Sequence, residues 1–515
     1  MKTVQKFKKV VALDTIIFYP EHEAVLKQLV EKPKIERVPM TYDEASKQWV
    51  VPESYEIPTD ANIIIWPSSL PESFEGITPE LHERLKTAQC WTEAGLREDV
   101  SAQCLYNRVK GADCVLTCWT NIPGTVLDKL VEDGQTKAII TWTHEFEHRL
   151  DVEKTRKARI YTNCVQDYGT DAVSELEFDG LVKLIERTKK TDKKAETDED
   201  IAIGVLSSLF TRYRKSHLNE RSTRRGKFSH QFHKLGRSQE HYGGFNDKTL
   251  DEILPEQLLE GKRVGILGEQ TSLDYLESVL AEGFKIKVDR VVTIDESSAE
   301  FYKYLATHET IVYDSNKVSE TVKRKIQLIK KDKAIDVQSL SHYDETLRGK
   351  KLGIVGLGRI GGRVAQIGAA LGMKVQYAGP TKKAVDYEYI ELDTLLETSD
   401  IVSVNVKAHK AEGLISAERI GLMRAGTYFI NTSDGNAVDQ MALTQRMLDG
   451  TVHAALDVYQ GLPTTKTLRL DDDPRGKVGS KLSKHVLWYR AGWKTQESIR
   501  VKTYKLLGHM MEVLE

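Results

Sequence analysis

The sequence predicts an α/β protein built on parallel sheets, one of them a dinucleotide-binding Rossmann unit. Three observations predict it. Short β-branched or aromatic runs alternate with longer helix-like stretches over residues 8–180. The run Gly356-Leu357-Gly358-Arg359-Ile360-Gly361 stands between a buried-type strand and a helix. Segments of residues 255–342 recur, with small drifts, about 90 positions later.

The first α/β segment has its strands at 10–18, 61–66, 114–119 and 138–142. Each is short and rich in Val, Ile, Thr or aromatic residues, as a mostly parallel sheet requires. Residues 187–200, RTKKTDKKAETDED, hold one alanine and no other apolar side chain, and are expected as a solvated loop or helix end. A helix is expected over 201–212. The basic stretch 212–227 follows, with Arg221, Arg224 and Arg225, expected as a polar helix or an arm against a partner subunit.

The internal repeat comes next. GKRVGILG at 261–268 is similar to GKKLGIVG at 349–356, an offset of 88 residues. IVYD at 311–314 pairs with IVSV at 401–404, and 328–335 with 422–429. The first copy has Glu269 where the second has its glycine loop, and that carboxylate would repel a phosphate. The first copy is expected not to bind a dinucleotide. Chance similarity between two generic βαβ units is the alternative.

Bulk properties narrow the function. A chain of 515 residues with 40% hydrophobic and 29% charged residues has room for several packed cores, roughly two to four domains. The formal net charge of −2 provides no global field toward nucleic acid or membrane. The lysines of residues 1–10 are not followed by a long apolar run, so no signal peptide is read. Five cysteines, an odd and small number, fit a reducing, cytoplasmic setting. Cys114 and Cys118 would sit about 13 Å apart along a strand, which suits buried thiols rather than a metal site.

The glycine loop carries the chemistry. Gly356 permits the tight turn, Gly358 lets the backbone approach a pyrophosphate, and Gly361 lets helix and strand pack closely. The helix beginning there supplies amide donors and partial positive charge to phosphates. The second strand, 373–380, ends at Gly379 rather than at a carboxylate, with Thr381, Lys382 and Lys383 after it. A hydroxyl and two cations suit a 2′-phosphate, so NADP is favoured over NAD.

From residue 347 onward the chain resembles the D-isomer-specific 2-hydroxyacid dehydrogenases. LRGKKLGIVGLGRIG at 347–361, DIVSVNV at 400–406, LMRAGTYFINT at 422–432 and AALDVY at 454–459 follow that family's order. Residues 112–116, 151–153 and 168–175 are similar, more faintly, to its substrate domain. The resemblance implies an α/β fold with a flavodoxin-like substrate domain plus a Rossmann dinucleotide-binding domain. The additional degenerate Rossmann-like unit lies inserted between them. The expected boundaries are 1–228 for the substrate-type domain, joined by the C-terminal helix 494–515; 229–342 for the insert; and 343–493 for the Rossmann domain. It further implies that Val406, Thr432, Ser433 and Asp457 line the cofactor, with Arg359 and Ile360 in the loop. A homodimer through the nucleotide domains is the implied assembly.

The family's catalytic residues are replaced. Its substrate-binding arginine corresponds to Asp434 in NTSDG at 431–435, its glutamate to Leu462, and its histidine to Tyr489. The substrate-domain loop at 143–149, THEFEHR, lacks the family's glycine. Reversing the sign of a charge beside a substrate carboxylate swings binding by several kcal/mol, on the order of 4 for each sign at 4 Å. Ordinary 2-keto acid reduction is therefore not expected. Two possibilities stay open. One is an NAD(P)-dependent oxidoreductase with rebuilt chemistry and a non-standard small-molecule substrate. In it Tyr489 beside Arg490 donates a proton, Asp434 holds a cationic group, and His144 or His148 enters from the other domain. The other is a pseudoenzyme, a dimeric NAD(P)-responsive scaffold, sensor or corepressor-like protein with a protein partner.

Overall fold

The computed structural model describes residues 6–66, 102–215, 257–460 and 482–515, with short breaks at 15, 39–40, 44–47, 51–54, 119, 144–145, 148, 269–271, 293–294, 296, 408–409 and 489–490. The first sheet contains β1 (Val10–Ala12), β2 (Ile35–Arg37), β5 (Ile63–Ile65), β6 (Cys114–Thr117), β7 (Ala138–Thr141) and β8 (Tyr161–Cys164). It runs β2-β5-β1-β6-β7-β8 and every pair in it is parallel. A separate ribbon pairs β3 (Thr41–Asp43) with β4 (Gln48–Val50). The strand expected over 10–18 stops at Ala12. Asp14, fully buried, turns the chain there by accepting from the amides of Cys118 (2.6 Å) and Thr120 (3.0 Å). Cys104, Cys114, Cys118 and Cys164 are buried free thiols. Cys90 lies outside the described residues.

Helix α1 (Thr170–Lys189) joins this sheet to the rest of the chain. Residues 172–185 are buried throughout, so its charges lie inside the protein. Asp179 and Lys183 pair at 2.5 Å. Glu175 accepts from the amides of Leu259 and Glu260.

The charge run, expected as a solvated loop or helix end, ends α1 at 187–189 and begins the next helix at 198–200, with a mostly exposed strand between them. Residues 190–194 make the strand β9 (Lys190–Lys194), antiparallel to β14 (Ser341–Tyr343). A two-stranded edge is exposed enough to leave lysines in water while the backbone pairs. Thr197 and Asp200 then form a capping box on α2 (Asp198–Leu209).

A second parallel sheet holds β10 (Arg263–Leu267), β11 (Lys287–Val291), β12 (Thr310–Tyr313) and β13 (Ala334–Asp336), in the order β11-β10-β12-β13. The third holds β15 (Lys351–Val355), β16 (Lys374–Ala378), β17 (Glu388–Tyr389), β18 (Ile401–Val404), β19 (Thr427–Asn431), β20 (Val452–Leu456) and β21 (Val486–Leu487). Its order is β17-β16-β15-β18-β19-β20-β21, all parallel. The order β16-β15-β18-β19 matches β11-β10-β12-β13, so the two segments related by sequence repetition also share a strand order. One apolar core runs from Leu176 and Leu184 of α1 through Val264 and Ile266 to Leu352 and Ile354. Glu269, the residue expected to bar phosphate from the first copy, lies outside the described residues.

The C-terminal helix α4 (Gln496–Leu514) packs back on the first sheet, sharing a core with Ile140 and Cys114. Its Lys502 is fully buried. The Nζ lies 4.0 Å from the ring centre of Trp142, 4.5 Å from Trp493 and 4.6 Å from Tyr168. Trp493 and Tyr168 belong to the two chain segments that connect the first sheet to the third, so this cation–π cluster ties both connections to the C-terminal helix.

Candidate functional site: a glycine loop and a buried carboxyl

The cradle starts where β15 ends. Gly356 has φ +95°, and a Cβ there would lie 2.5 Å from the carbonyl oxygen of Asn405. Only glycine serves, for conformation and for space. Helix α3 (Arg359–Ala370) begins immediately. A Cβ on Gly361, in its first turn, would lie 2.2 Å from the Gly356 carbonyl oxygen, which is how closely helix and strand approach. Gly358 is the N-cap and differs from both. A Cβ there meets nothing within 4 Å, because it projects into open space before the free amides of α3. That space and those donors fit a pyrophosphate. Arg359 is exposed, 3.8 Å from Asp167, and Ile360 is half-buried.

A cavity of about 680 Å³ opens beside this cap, lined by Leu357, Gly358, Gly362 and Gln366 on one side and residues 383–387 on the other. Thr381, Lys382 and Lys383 are exposed, and Lys383 reaches the cavity wall. Its amide donates to the Tyr377 hydroxyl at 2.6 Å, while Tyr389 donates to the Gly379 carbonyl at 2.9 Å. Asp386 lies on the same wall. No carboxylate ends β16, as the sequence indicates, while the turn leading into β17 places Asp386 on the cavity wall.

The residues after β18 and β19 form a connected polar group. The amide of Val406 donates to Ser433 Oγ (3.3 Å), and Ser433 donates to Asn431. Thr432 Oγ1 donates to Glu177 Oε1 at 2.7 Å. Ser403 donates to Glu177 Oε2 and accepts from Asn405 Nδ2 (2.6 Å). Glu177 comes from α1 and is buried. Burial pushes its carboxyl up to about 7, against the hydrogen bonds from Ser403, Thr432 and Asn405 that favour the anion.

Asp457 is buried, and its two oxygens accept from the amides of Ala491 (2.6 Å) and Gly492 (3.0 Å). Its carboxylate thus anchors the segment that follows the position of Tyr489. Asp457→Ala leaves two buried amides without an acceptor, at about 1–3 kcal/mol each. The expected outcome is a clear fall in thermal midpoint together with faster proteolysis near residue 490. An unchanged midpoint would show that the carboxylate is not a structural anchor.

Asp434 is buried and caps the short turn Gly435–Ala437, its Oδ1 accepting from the Asn436 amide at 3.0 Å. Its position is that of a turn cap. Tyr489, Arg490, His144, His148 and Leu462 lie outside the described residues. Of the cofactor-side candidates, Gly358 and Lys383 share the cavity, and Val406 borders Gly356 and bonds Ser433, whereas Thr432 meets Glu177 and Asp457 meets Ala491 and Gly492; among the catalytic candidates only Asp434 has a described place. Glu177 and Asp386 were not singled out by sequence. The signal for Glu177 was an acidic residue among the apolar positions of α1, which reads equally well as a solvated helix face.

Parts of this chain are similar to known proteins. The model of the D-isomer specific 2-hydroxyacid dehydrogenase NAD binding domain matches residues 316–476. A hydroxypyruvate reductase of Thermotoga maritima is 39% identical over 127 residues, 24% of this chain and 42% of that protein. The match thus spans less than half the length of that relative. Among solved structures, an acyclic imino acid reductase in complex with NADPH and D-Arg aligns with TM-score 0.45 and 15% identity, covering 97% of this chain and 94% of its own. A D-lactate dehydrogenase of Treponema pallidum aligns with TM-score 0.44 and 14% identity, covering 98% and 96%. No helix among the described residues is long and apolar enough to cross a membrane.

Proposed function

We propose, from the premise that this chain belongs through its NAD-binding domain to the D-isomer-specific 2-hydroxyacid dehydrogenase family, that it is an NAD(P)-dependent oxidoreductase acting on a non-standard substrate. The observation that carries the proposal is the cradle. Gly356 and Gly361 are required by packing, but Gly358 borders open space and has no packing reason to lack a side chain. A chain that had kept only the fold has no need of it.

A bound nicotinamide would supply hydride transfer at a carbon bonded to oxygen or nitrogen. The amides opening α3, with Gly358, would hold the pyrophosphate, and the wall at 383–387 the adenosine ribose. Lys383, with Thr381 and Lys382 beside it, favours a 2′-phosphate, and Asp386 on the same wall opposes one. NADP is the proposed cofactor on the weight of the cations. Tyr489 is the proposed proton donor, because it replaces the family's histidine, and His144 is its counterpart from the first domain. Asp434, as a turn cap, supports the loop after β19 rather than the substrate. A homodimer through the nucleotide domains, which the family resemblance implies, would appear as twice the chain mass in light scattering.

Calorimetric titration with NADPH, NADH, NADP and NAD tests the reading. Binding of one pair at micromolar levels is expected, NADP(H) ahead of NAD(H). Preference for NAD(H) would reverse the assignment of Lys383. No binding of any form would remove the oxidoreductase reading and leave the scaffold alternative.

A further inference from the structure

We infer that Glu177 makes this chain discriminate between the oxidised and reduced forms of its nicotinamide cofactor, as an anionic floor beneath the cofactor's nicotinamide end. The inference rests on the dinucleotide reading above and adds a charge to it.

Position comes first. In a doubly wound sheet a dinucleotide lies across the carboxyl ends of the strands, where strand order reverses. Here that point falls between β15 and β18. The cavity at residues 383–387 follows β16 and marks the adenosine half. The other half must then lie over the ends of β18 and β19. Ser403 lies in β18, Asn405 just beyond it, and Thr432 just beyond β19. Ser403 and Thr432 donate to Glu177, which α1 contributes, and Asn405 donates to Ser403.

The hydrogen bonds specify the charge. Both carboxyl oxygens accept from hydroxyls. Ser403 already accepts from Asn405, so its proton turns toward Glu177. A set of donors converging on both oxygens suits a carboxylate rather than a carboxylic acid. Among the described residues no cation pairs with it.

Charged groups on the surrounding elements are engaged elsewhere. On α1, Glu175 holds the amides of Leu259 and Glu260, and Asp179 pairs with Lys183. Arg363 of α3 pairs with Asp171, and Asp200 of α2 with His342. Beyond β19 and β20, Asp434 and Asp457 accept from backbone amides. His453 of β20 has its pKa lowered by burial. A buried carboxylate with no counter-ion among the described residues is costly unless a ligand brings the opposite charge. The oxidised nicotinamide ring carries one positive charge and the reduced ring none.

The test is titration calorimetry of the full chain with oxidised and reduced NADP and NAD, using the unsubstituted protein and Glu177→Gln, at about pH 8.5 and about pH 6. The readout is the ratio of the dissociation constant of the reduced form to that of the oxidised form. Any 2′-phosphate titration is common to both forms and cancels. At the higher pH the ratio should be at least about tenfold larger in the unsubstituted protein than in the variant. At the lower pH the difference should shrink as the carboxyl protonates. Should the variant not fold, the pH dependence of the unsubstituted protein decides alone. Equal ratios in the two proteins at high pH, or a ratio flat with pH in the unsubstituted chain, would overturn the inference and leave dinucleotide binding standing. No binding of any form to the unsubstituted chain would overturn both.

Discussion

Gly358→Asp is expected to abolish dinucleotide binding while leaving the thermal transition unchanged. The two halves of this expectation have separate causes. A Cβ at Gly358 meets no atom within 4 Å and its φ is −87°, so an L side chain fits without strain. An aspartate is also a favourable N-cap for α3. The same carboxylate stands where a pyrophosphate would sit. At about 4 Å and an effective dielectric near 20, each charge pair costs about 4 kcal/mol, a loss of about a thousandfold in affinity. Gly361→Ala is the contrast. Its Cβ would fall 2.2 Å from the Gly356 carbonyl oxygen, so helix and strand must separate. That costs about 3 kcal/mol and lowers the midpoint by several degrees. Calorimetric titration and differential scanning on the three proteins separate the cases. A Gly358→Asp protein that still bound dinucleotide tightly would show that the cradle is not the binding site.

The second large effect is on stability against pH. Burial raises the carboxyls of both Glu175 and Glu177 to about 7. For Glu175 the opposing influences are the Arg214 charge and the amides of Leu259 and Glu260. A carboxyl whose pKa is higher folded than unfolded holds its proton more tightly in the folded state. Between the ordinary carboxylate range and about pH 7 the folded chain binds more protons than the unfolded one, so stability falls as pH rises through that window and levels above it. Each group contributes about 3 kcal/mol to the fall. The excess stability of the unsubstituted chain over Glu177→Gln should therefore fall between about pH 5 and pH 8, while buried His22, its pKa lowered to about 4, acts in the opposite direction on both proteins. A difference between the two proteins that stayed flat with pH would contradict the burial of this charge.

How much of this was legible in the sequence depends on where each interaction's partners lie along the chain. The three glycine roles are local. Gly356, Gly358 and Gly361 take their places from a strand that ends and a helix that begins within a dozen residues, and the turn between them has few solutions. The sequence by itself therefore determined the Rossmann unit, its glycine turn and its resemblance to the matched NAD-binding domain. The repetition between 261–268 and 349–356 was equally legible, because matching residues occupy matching strands.

Other features depended on distant partners. The charge run 187–200 gave no sign of pairing, because β14 lies about 150 residues further on. Glu177 meets Ser403 and Thr432, 226 and 255 residues away. Lys502 meets Trp142 and Tyr168 from the opposite end of the chain. Asp386 follows no strand-end rule and reaches the cavity through a turn. A charged side chain on a helix reads as solvated until another element covers it, and a single sequence carries no record of that cover. What only the tertiary structure decided is which charges are buried and against what. Burial sets their energy, because a carboxylate that interacts weakly in water becomes, inside α1, a group whose protonation and counter-ion matter.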